Sequence, residues 1–286
     1  MMHIAYQIGH GLAIMLPLRV SYAIATAIAS VYFSLSLGDR KALEENLRVV
    51  FGNKISDERL KKYTYRAFVN FAKYLVDFFR MSRFDARYMR RYVKVEGKEY
   101  VDQALKEGRG VVVLSSHIGN WEMGAAVLSA LGYDTYGIAL VHADGKVNRI
   151  FNDQRRKGGY GAIATGSTLR KALKVLKENK LLGILGDRDF STKGVSMPFF
   201  GVPAMLPKGP AFFSLKAGAP IVPAFLIRTK ADTFRFIIGK PMGGVAGKPA
   251  GDRLKALMAE CIEVIEKHIR MNPDQWYVFR RVWDRT

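Results

Sequence analysis

The sequence predicts an α/β protein with a largely parallel central sheet flanked by helices. From Val93 onward, short apolar runs alternate with amphipathic helical stretches. That order is typical of strand–helix–strand units around a parallel sheet. The 286 residues are 49% hydrophobic, which is enough for a sizeable core, and no linker or internal repeat divides them. We therefore expect a single domain over 39–286, preceded by an apolar segment over 1–38.

The predicted elements follow one another along the chain. Ser56 is a plausible N-cap of a long amphipathic helix whose apolar positions run from Leu60 to Phe78. Buried strands are expected at 111–114, 135–140, 181–185, 221–227 and 233–238, and further helices at 122–131, 167–178 and 253–270. A helix follows most strands, as a parallel sheet requires.

The N-terminal segment contains an uncharged, mostly apolar run from Val20 to Leu37. It has about the length of the shortest transmembrane helix. Three interpretations are open: a weak transmembrane anchor, an interfacial helix pair in one leaflet, or a buried core helix. Membrane association is favoured because Arg40, Lys41 and Arg48 follow directly, and this positive flank predicts a cytoplasmic location.

The net charge of +20 calls for an acidic partner or surface. The basic residues are dispersed and form no nucleic-acid-binding motif, so nucleic acid is not expected. Anionic lipid headgroups or an acidic carrier protein would be attracted by such a charge, although a soluble basic enzyme also fits. The single Cys261 excludes an intrachain disulfide, and the scattered histidines make a metal site unexpected.

The segment Leu114-Ser115-Ser116-His117-Ile118-Gly119-Asn120-Trp121-Glu122 carries the clearest chemical signal. It places an imidazole and a carboxylate five positions apart, where an apolar strand gives way to a helix. A neutral histidine can accept a proton near pH 7, and a carboxylate on its other ring nitrogen fixes the tautomer. The segment contains no evident nucleophile. We therefore expect His117 to activate an acceptor hydroxyl as general base and Glu122 to orient His117.

A second polar segment follows another predicted strand. Gly186-Asp187-Arg188-Asp189 comes directly after the strand at 181–185, just as His117 follows the strand at 111–114. In open α/β sheets, chemistry collects at the carboxyl ends of the strands. Both segments are therefore expected at the same edge of the sheet.

With these motifs, the chain resembles the lysophospholipid acyltransferase superfamily, whose signature is His-x-x-x-x-Asp/Glu. The glutamate preceded by tryptophan is similar to the branch of bacterial late lipid A acyltransferases, the lauroyl and myristoyl transferases, and their mycobacterial mannoside-acylating relatives. The other segments that resemble this branch are Asn46-Leu47-Arg48, Asn148-Arg149, Arg155-Arg156, 186–189, 198–204, 208–211, 218–223 and Pro273-Asp274-Gln275-Trp276. Arg188 departs from the branch, where glutamine is commoner.

The resemblance implies a glycerolipid acyltransferase-like fold and a membrane-bound O-acyltransferase on the cytoplasmic face of a bacterial inner membrane. The donor would be an acyl thioester on acyl carrier protein or coenzyme A, so no cofactor is expected. The acceptor would be a hydroxyl of an anionic glycolipid such as a lipid A precursor. Acylation of a lysophospholipid and a non-catalytic lipid-binding protein are the alternatives.

The remaining site residues are expected to bind the substrates. Four arginines are candidates for binding acceptor phosphates or the donor's phosphopantetheine: Arg149, Arg155, Arg156 and Arg188. Asp187 would orient one of these arginines or organise the pocket. For each arginine, a solvated basic loop is an equal alternative. Turn amides near Gly119 and Asn120 could form the oxyanion hole.

Two aromatic segments have two interpretations each. Phe199 and Phe200 could line an acyl-chain groove or fill a core. Four aromatic side chains near the C-terminus could contact the membrane interface or pack on the sheet: Trp276, Tyr277, Phe279 and Trp283.

Overall fold

A computed structural model describes residues 2–165, 168–189, 193–243 and 250–283. The α-helices in these ranges are α1 (Met2–Met15), α2 (Leu18–Leu35), α3 (Leu37–Val50), α4 (Asp57–Phe79), α5 (Ala86–Tyr92), α6 (Lys98–Leu105), α7 (Trp121–Ala130), α8 (Gly145–Lys157), α9 (Thr168–Lys177), α10 (Gly209–Ala217) and α11 (Ala250–Met271). The predicted helices are all present, although the expected start at Ser167 lies outside the described residues.

The strands form one large sheet and one hairpin. They are β1 (Val93–Glu96), β2 (Val111–Ser115), β3 (Thr135–Ala139), β4 (Gly161–Ala164), β5 (Leu181–Leu185), β6 (Val195–Phe199), β7 (Val202–Leu206), β8 (Ile221–Arg228) and β9 (Phe234–Ile238). The seven-stranded sheet has the order β1-β9-β8-β2-β5-β3-β4, and β6 pairs with β7. Only β8 and β9 pair antiparallel within the large sheet, which confirms the predicted fold class.

The valine-rich strand β2 lies at the centre of the sheet, between β5 and β8. Val111 to Leu114 are fully or almost fully buried, as a strand covered on both faces requires. One face packs against α7 and α8, and the other against α9, α10 and α11. The carboxyl ends of β2 and β5 therefore lie side by side at one edge of a three-layered domain.

The C-terminal segment packs against this edge of the domain. Asn46 in α3 donates hydrogen bonds to the carbonyls of Val278 and Arg280, at 2.9 and 2.8 Å. Trp276 and Tyr277 are 0% and 4% exposed. Of the two interpretations, packing on the sheet therefore fits these two side chains, and membrane contact does not.

Helix α2 has one buried and one exposed face. Tyr22, Ala25, Ala29 and Phe33 are buried at helical spacing, mainly against α4. The opposite face presents large apolar side chains to the exterior: Val20, Ile24, Ile28, Val31, Tyr32 and Leu35. Among the described residues, α2 is the one helix long and apolar enough to cross a membrane, and 28% of it is buried.

A buried ion pair connects α2 to the core. Asp77 in α4 accepts hydrogen bonds from Arg228 in β8 and from the Tyr22 hydroxyl, the latter at 2.5 Å. The side-chain amide of Asn120 donates to the same carboxylate at 3.2 Å. Burial alone would lower the pKa of Arg228, but the charge of Asp77 and the Tyr22 hydroxyl outweigh it and raise that pKa. The guanidinium therefore stays charged inside the protein.

We expect Asp77→Ala to lower the free energy of unfolding by about 3–5 kcal/mol, because it removes the buried carboxylate partner of Arg228 and leaves the guanidinium with the partly exposed Asp232. Urea denaturation followed by circular dichroism measures this loss. Glu107→Ala is the control, since Glu107 forms an exposed ion pair with Arg109 and should cost less than about 1 kcal/mol. Equal losses in the two variants would contradict the prediction.

Candidate active site

His117 lies two residues beyond β2, in a tight turn before α7. The turn passes through Gly119, whose φ is +61°. A Cβ at this glycine would lie 2.1 Å from the carbonyl oxygen of Leu226, so no other residue fits there. The turn ends at Asn120, whose side chain caps α7 by accepting a hydrogen bond from the Met123 amide at 3.0 Å. Sterics and capping together fix the position of the His117 backbone.

Asp187 holds the His117 ring. Its Oδ1 lies 2.9 Å from His117 Nδ1, and the His117 amide donates to both carboxylate oxygens at 3.1 Å. The indole Nε1–H of Trp276 donates to Oδ2 at 2.9 Å. Asp187 is 1% exposed, and the His117 side chain is 13% exposed. The carboxylate thus fixes the orientation of the ring.

The surroundings of Asp187 favour its ionised form. Burial alone would raise the pKa of Asp187. The positive charge that the His117 ring carries when protonated and the hydrogen bonds from His117 and Trp276 outweigh burial and lower that pKa. A carboxylate at Nδ1 keeps a proton on that nitrogen. In the neutral ring, the lone pair is then on Nε2, where a general base needs it.

The predicted pairing of Glu122 with His117 was wrong. The Glu122 carboxylate accepts hydrogen bonds from Arg155 Nη2 at 2.6 Å, from Arg155 Nε at 3.1–3.2 Å and from the Tyr160 hydroxyl. Glu122 lies in the first turn of α7, and its hydrogen bonds go to Arg155 of α8 and to Tyr160. Its charge neutralises Arg155 instead.

The predicted oxyanion hole was also wrong. The Gly119 amide donates to the carbonyl of Gln275 at 2.9 Å, and the Asn120 amide donates to the carbonyl of Leu226 at 2.8 Å. These bonds attach the turn to the C-terminal segment and to β8. Both amides are therefore used to hold the turn.

The structure separates the four predicted arginines into two pairs. Arg155 and Arg188 line the same cavity as His117. Arg155 is 7% exposed and bonded to Glu122. Arg149 is exposed and Arg156 is bonded to Asp153 at the surface, and neither is among the lining residues described.

Asp187 was expected to help bind substrate, but both its oxygens contact His117 and one also contacts Trp276.

The cavity has a volume of about 860 Å³, which is within the usual range of about 300–1,000 Å³ for ligand pockets. It extends from His117 and Trp121 into an apolar interior lined by residues such as Val113, Leu128 and Phe213. Lysines and arginines also line it: Arg155, Arg188, Lys193 and Lys208. Such a cavity suits an apolar chain attached to an anionic group.

Several site residues were missed by sequence reasoning. Trp276 orients Asp187, and Tyr160 shares the Glu122 carboxylate. Gln275 exchanges two hydrogen bonds with the Arg228 backbone, at 2.9 and 2.8 Å. The signal available in the sequence was the Pro-Asp-Gln-Trp segment, whose function was not inferred.

Phe199 packs against Trp276 in the core and does not line the cavity, which fits the core interpretation.

Metal binding has no support within the ranges that the structure describes, where no group of three or more His, Cys, Asp or Glu side chains could hold an ion. The expected absence of a metal and of a cofactor stays a prediction.

The fold and the site together define a class: an α/β protein with a carboxylate-held histidine in the wall of a large, mostly apolar cavity. The chain belongs to the bacterial lipid A biosynthesis acyltransferase family, whose sequence profile matches residues 2–285. The predicted resemblance to the late lipid A acyltransferase branch is thus confirmed.

Individual relatives are more distant. The chain is 28% identical over 161 residues to a phosphatidylinositol mannoside acyltransferase of Mycobacterium tuberculosis, an alignment that covers 54% of this chain and 51% of the relative. The chain therefore spans about half the length of that protein. It is 22% identical over 275 residues to the lipid A biosynthesis lauroyltransferase of Escherichia coli K12, covering 94% of this chain and 87% of the relative.

Among solved structures, the 1-acyl-sn-glycerophosphate acyltransferase of Thermotoga maritima aligns with a TM-score of 0.40 and 16% sequence identity. The alignment covers 87% of this chain and 97% of that one.

Asp187→Asn is expected to remove a pH-dependent part of the stability. Because the folded pKa of Asp187 is lowered, its contribution is fully present above an unfolded carboxyl pKa of about 3.9 and is lost as the pH falls through the folded value. The loss of unfolding free energy caused by the variant should therefore be larger at about pH 7 than at about pH 3 in urea denaturation.

Asp134→Asn is the matched control, since the Asp134 side chain is 74% exposed. It should change stability little at either pH. If Asp187→Asn lowers the free energy of unfolding equally at both pH values, the charge of the carboxylate is not what stabilises the site.

Proposed function

We propose that the chain is a membrane-associated O-acyltransferase that moves a fatty acyl group from a thioester to a glycolipid hydroxyl. The observation that carries this proposal is that His117, held by Asp187, lines the apolar cavity. The pair supplies a base for the acceptor hydroxyl, and the cavity can bury an acyl chain beside it. Family membership supports the same reaction.

In this mechanism, His117 Nε2 removes the proton from the acceptor hydroxyl as the hydroxyl oxygen attacks the thioester carbonyl. Asp187 stabilises the imidazolium that forms. The tetrahedral intermediate then collapses, the carbon–sulfur bond breaks, and the leaving thiolate takes the proton from His117. An ester and a free thiol result, and the histidine is neutral again.

The cationic side chains of the cavity oppose the negative charge in this reaction. Arg188, Lys193 and Lys208 line the cavity together with His117. In place of the turn amides, we propose that they stabilise the oxyanion and bind the phosphates of donor or acceptor. Arg155 is neutralised by Glu122, and we propose that this pair shapes the wall of the cavity beside His117.

The donor is proposed to be a thioester of acyl carrier protein or coenzyme A, with no further cofactor. A net charge of +20 suits an acidic carrier protein. The acceptor is proposed to be an anionic glycolipid, such as a lipid A precursor, since the relatives named above are acyltransferases of lipid A biosynthesis and of a phosphatidylinositol mannoside.

The first 38 residues are proposed to associate with the cytoplasmic face of the bacterial inner membrane. One face of α2 is buried on the domain, while Ile28, Val31 and Leu35 on the other face are 62%, 61% and 75% exposed. A helix with these two faces is best accommodated in the plane of the interface. Anionic headgroups would add attraction for the basic residues that follow.

His117→Ala is expected to lower kcat for acyl transfer by about 10²–10⁴-fold, the usual contribution of a general base. Transfer of radiolabelled lauroyl groups from acyl carrier protein and from coenzyme A to a lipid A precursor measures it. His268→Phe is the matched control. His268 stacks on Phe225 away from the cavity, and burial lowers its pKa to about 4, so it should be dispensable. Full activity of His117→Ala in folded protein would exclude this mechanism.

Ile28→Glu combined with Val31→Glu is expected to weaken membrane binding. Each substitution places a charge on the exposed apolar face of α2, and co-sedimentation with phosphatidylglycerol–phosphatidylethanolamine vesicles should fall about tenfold or more. Met271→Glu is the control, because Met271 is 63% exposed at the end of α11. If the double variant still sediments like wild type, this face is not the membrane-binding surface.

A further inference from the structure

The central sheet splits between β3 and β5 at the edge that carries His117. β5 stays paired with β2 as far as Leu185, and β3 stays paired with β4 as far as Ala139. Between themselves, however, β3 and β5 pair only as far as Gly137 and Gly183. Beyond these two glycines, the strands are no longer hydrogen-bonded, and a slot opens between the two parts of the sheet.

The cavity passes through this slot. Ile138 of β3 and Ile184 of β5 line it from the two sides of the split. Leu128 of α7 and Phe213 of α10 also line it, although these helices belong to opposite layers of the domain. The cavity therefore crosses the sheet instead of resting on one of its faces.

The two glycines at the base of the slot are not required by the backbone. Neither Gly137 nor Gly183 has a positive φ. A Cβ at Gly137 would have no atom within 4 Å, and one at Gly183 would make ordinary contacts of 3.6 Å or longer. Glycine inside a strand weakens it and often marks a place where a ligand approaches closely. Both glycines line the cavity.

We propose that the slot between β3 and β5 receives the distal part of the transferred acyl chain, and that Gly137 and Gly183 determine the chain length that fits. This inference rests on the function proposed above. A thioester carbonyl beside His117 lies at the end of β2, and β3 is two strands away, about 10 Å across the sheet. A short chain ends before Gly137, whereas a long one must pass it.

Gly137→Leu tests the proposal because it fills the base of the slot. Binding of free palmitate and free octanoate is measured by calorimetry, and transfer of palmitoyl and octanoyl groups from coenzyme A is measured in parallel. We expect palmitate to bind the variant about ten- to a hundredfold more weakly than it binds the wild type. This factor corresponds to the usual free-energy cost of over-packing an apolar space. Octanoate binding should stay within about threefold, and the transfer rates should follow the same order.

Gly145→Leu is the matched control, because a Cβ at Gly145 also meets nothing within 4 Å and this exposed residue does not line the cavity. It should leave both affinities unchanged. If Gly137→Leu does not fold, Gly183→Ala replaces it, with a smaller effect in the same direction.

The outcomes separate the two proposals. Equal weakening of palmitate and octanoate binding, or no weakening, would overturn the inference about the slot. Wild-type protein that binds palmitate in a length-dependent, Gly137-sensitive way but transfers no acyl group would support the slot and overturn the proposed function.

Discussion

The site depends on one buried carboxylate, that of Asp187. It accepts hydrogen bonds from the amide and the ring of His117 and from the indole of Trp276. These three groups come from the end of β2 and from the C-terminal segment, while Asp187 itself follows β5. A buried carboxylate without such donors would be costly. Because the Asp187 carboxylate needs these donors, it holds three separate parts of the chain together and fixes the orientation of the imidazole.

Two further buried carboxylates stabilise the same turn from other sides. Asp77 binds Arg228 and accepts a hydrogen bond from Asn120, which caps α7. Glu122, in the first turn of α7, binds Arg155. Each acid is paired with a cation or with hydrogen-bond donors, so the segment from 115 to 122 is held by charge as well as by packing. Such preorganisation is what a general base requires, because its lone pair must already point at the acceptor when substrate arrives.

Five of the nine strands in the described residues could be predicted from the sequence, and so could the placement of His117 and Asp187 at one edge of the sheet. Strands β1, β4, β6 and β7 and the pairing of the acids could not. Hydrophobic periodicity identified β2 and β5, and the carboxyl-end rule placed His117 and Asp187 at one edge. The spacing of His117 and Glu122 indicated contact, yet the His117 ring bonds Asp187 and the Glu122 carboxylate bonds Arg155. Trp276 lies far along the chain, and only the folded sheet brings it to Asp187.

Helix α2 is connected to the chemistry through its buried face. The Tyr22 hydroxyl donates to Asp77, which also receives the Asn120 amide next to the His117 turn. Drawing α2 fully into a bilayer as an isolated span would separate Tyr22 from Asp77 and leave a buried acceptor without one of its donors, at a cost of about 1–3 kcal/mol. The exposed apolar face can enter the lipid without that loss. A helix in the proposed interfacial position keeps these contacts, and its hydrogen bond to Asp77 then joins the exposed apolar face of α2 to the turn that carries His117.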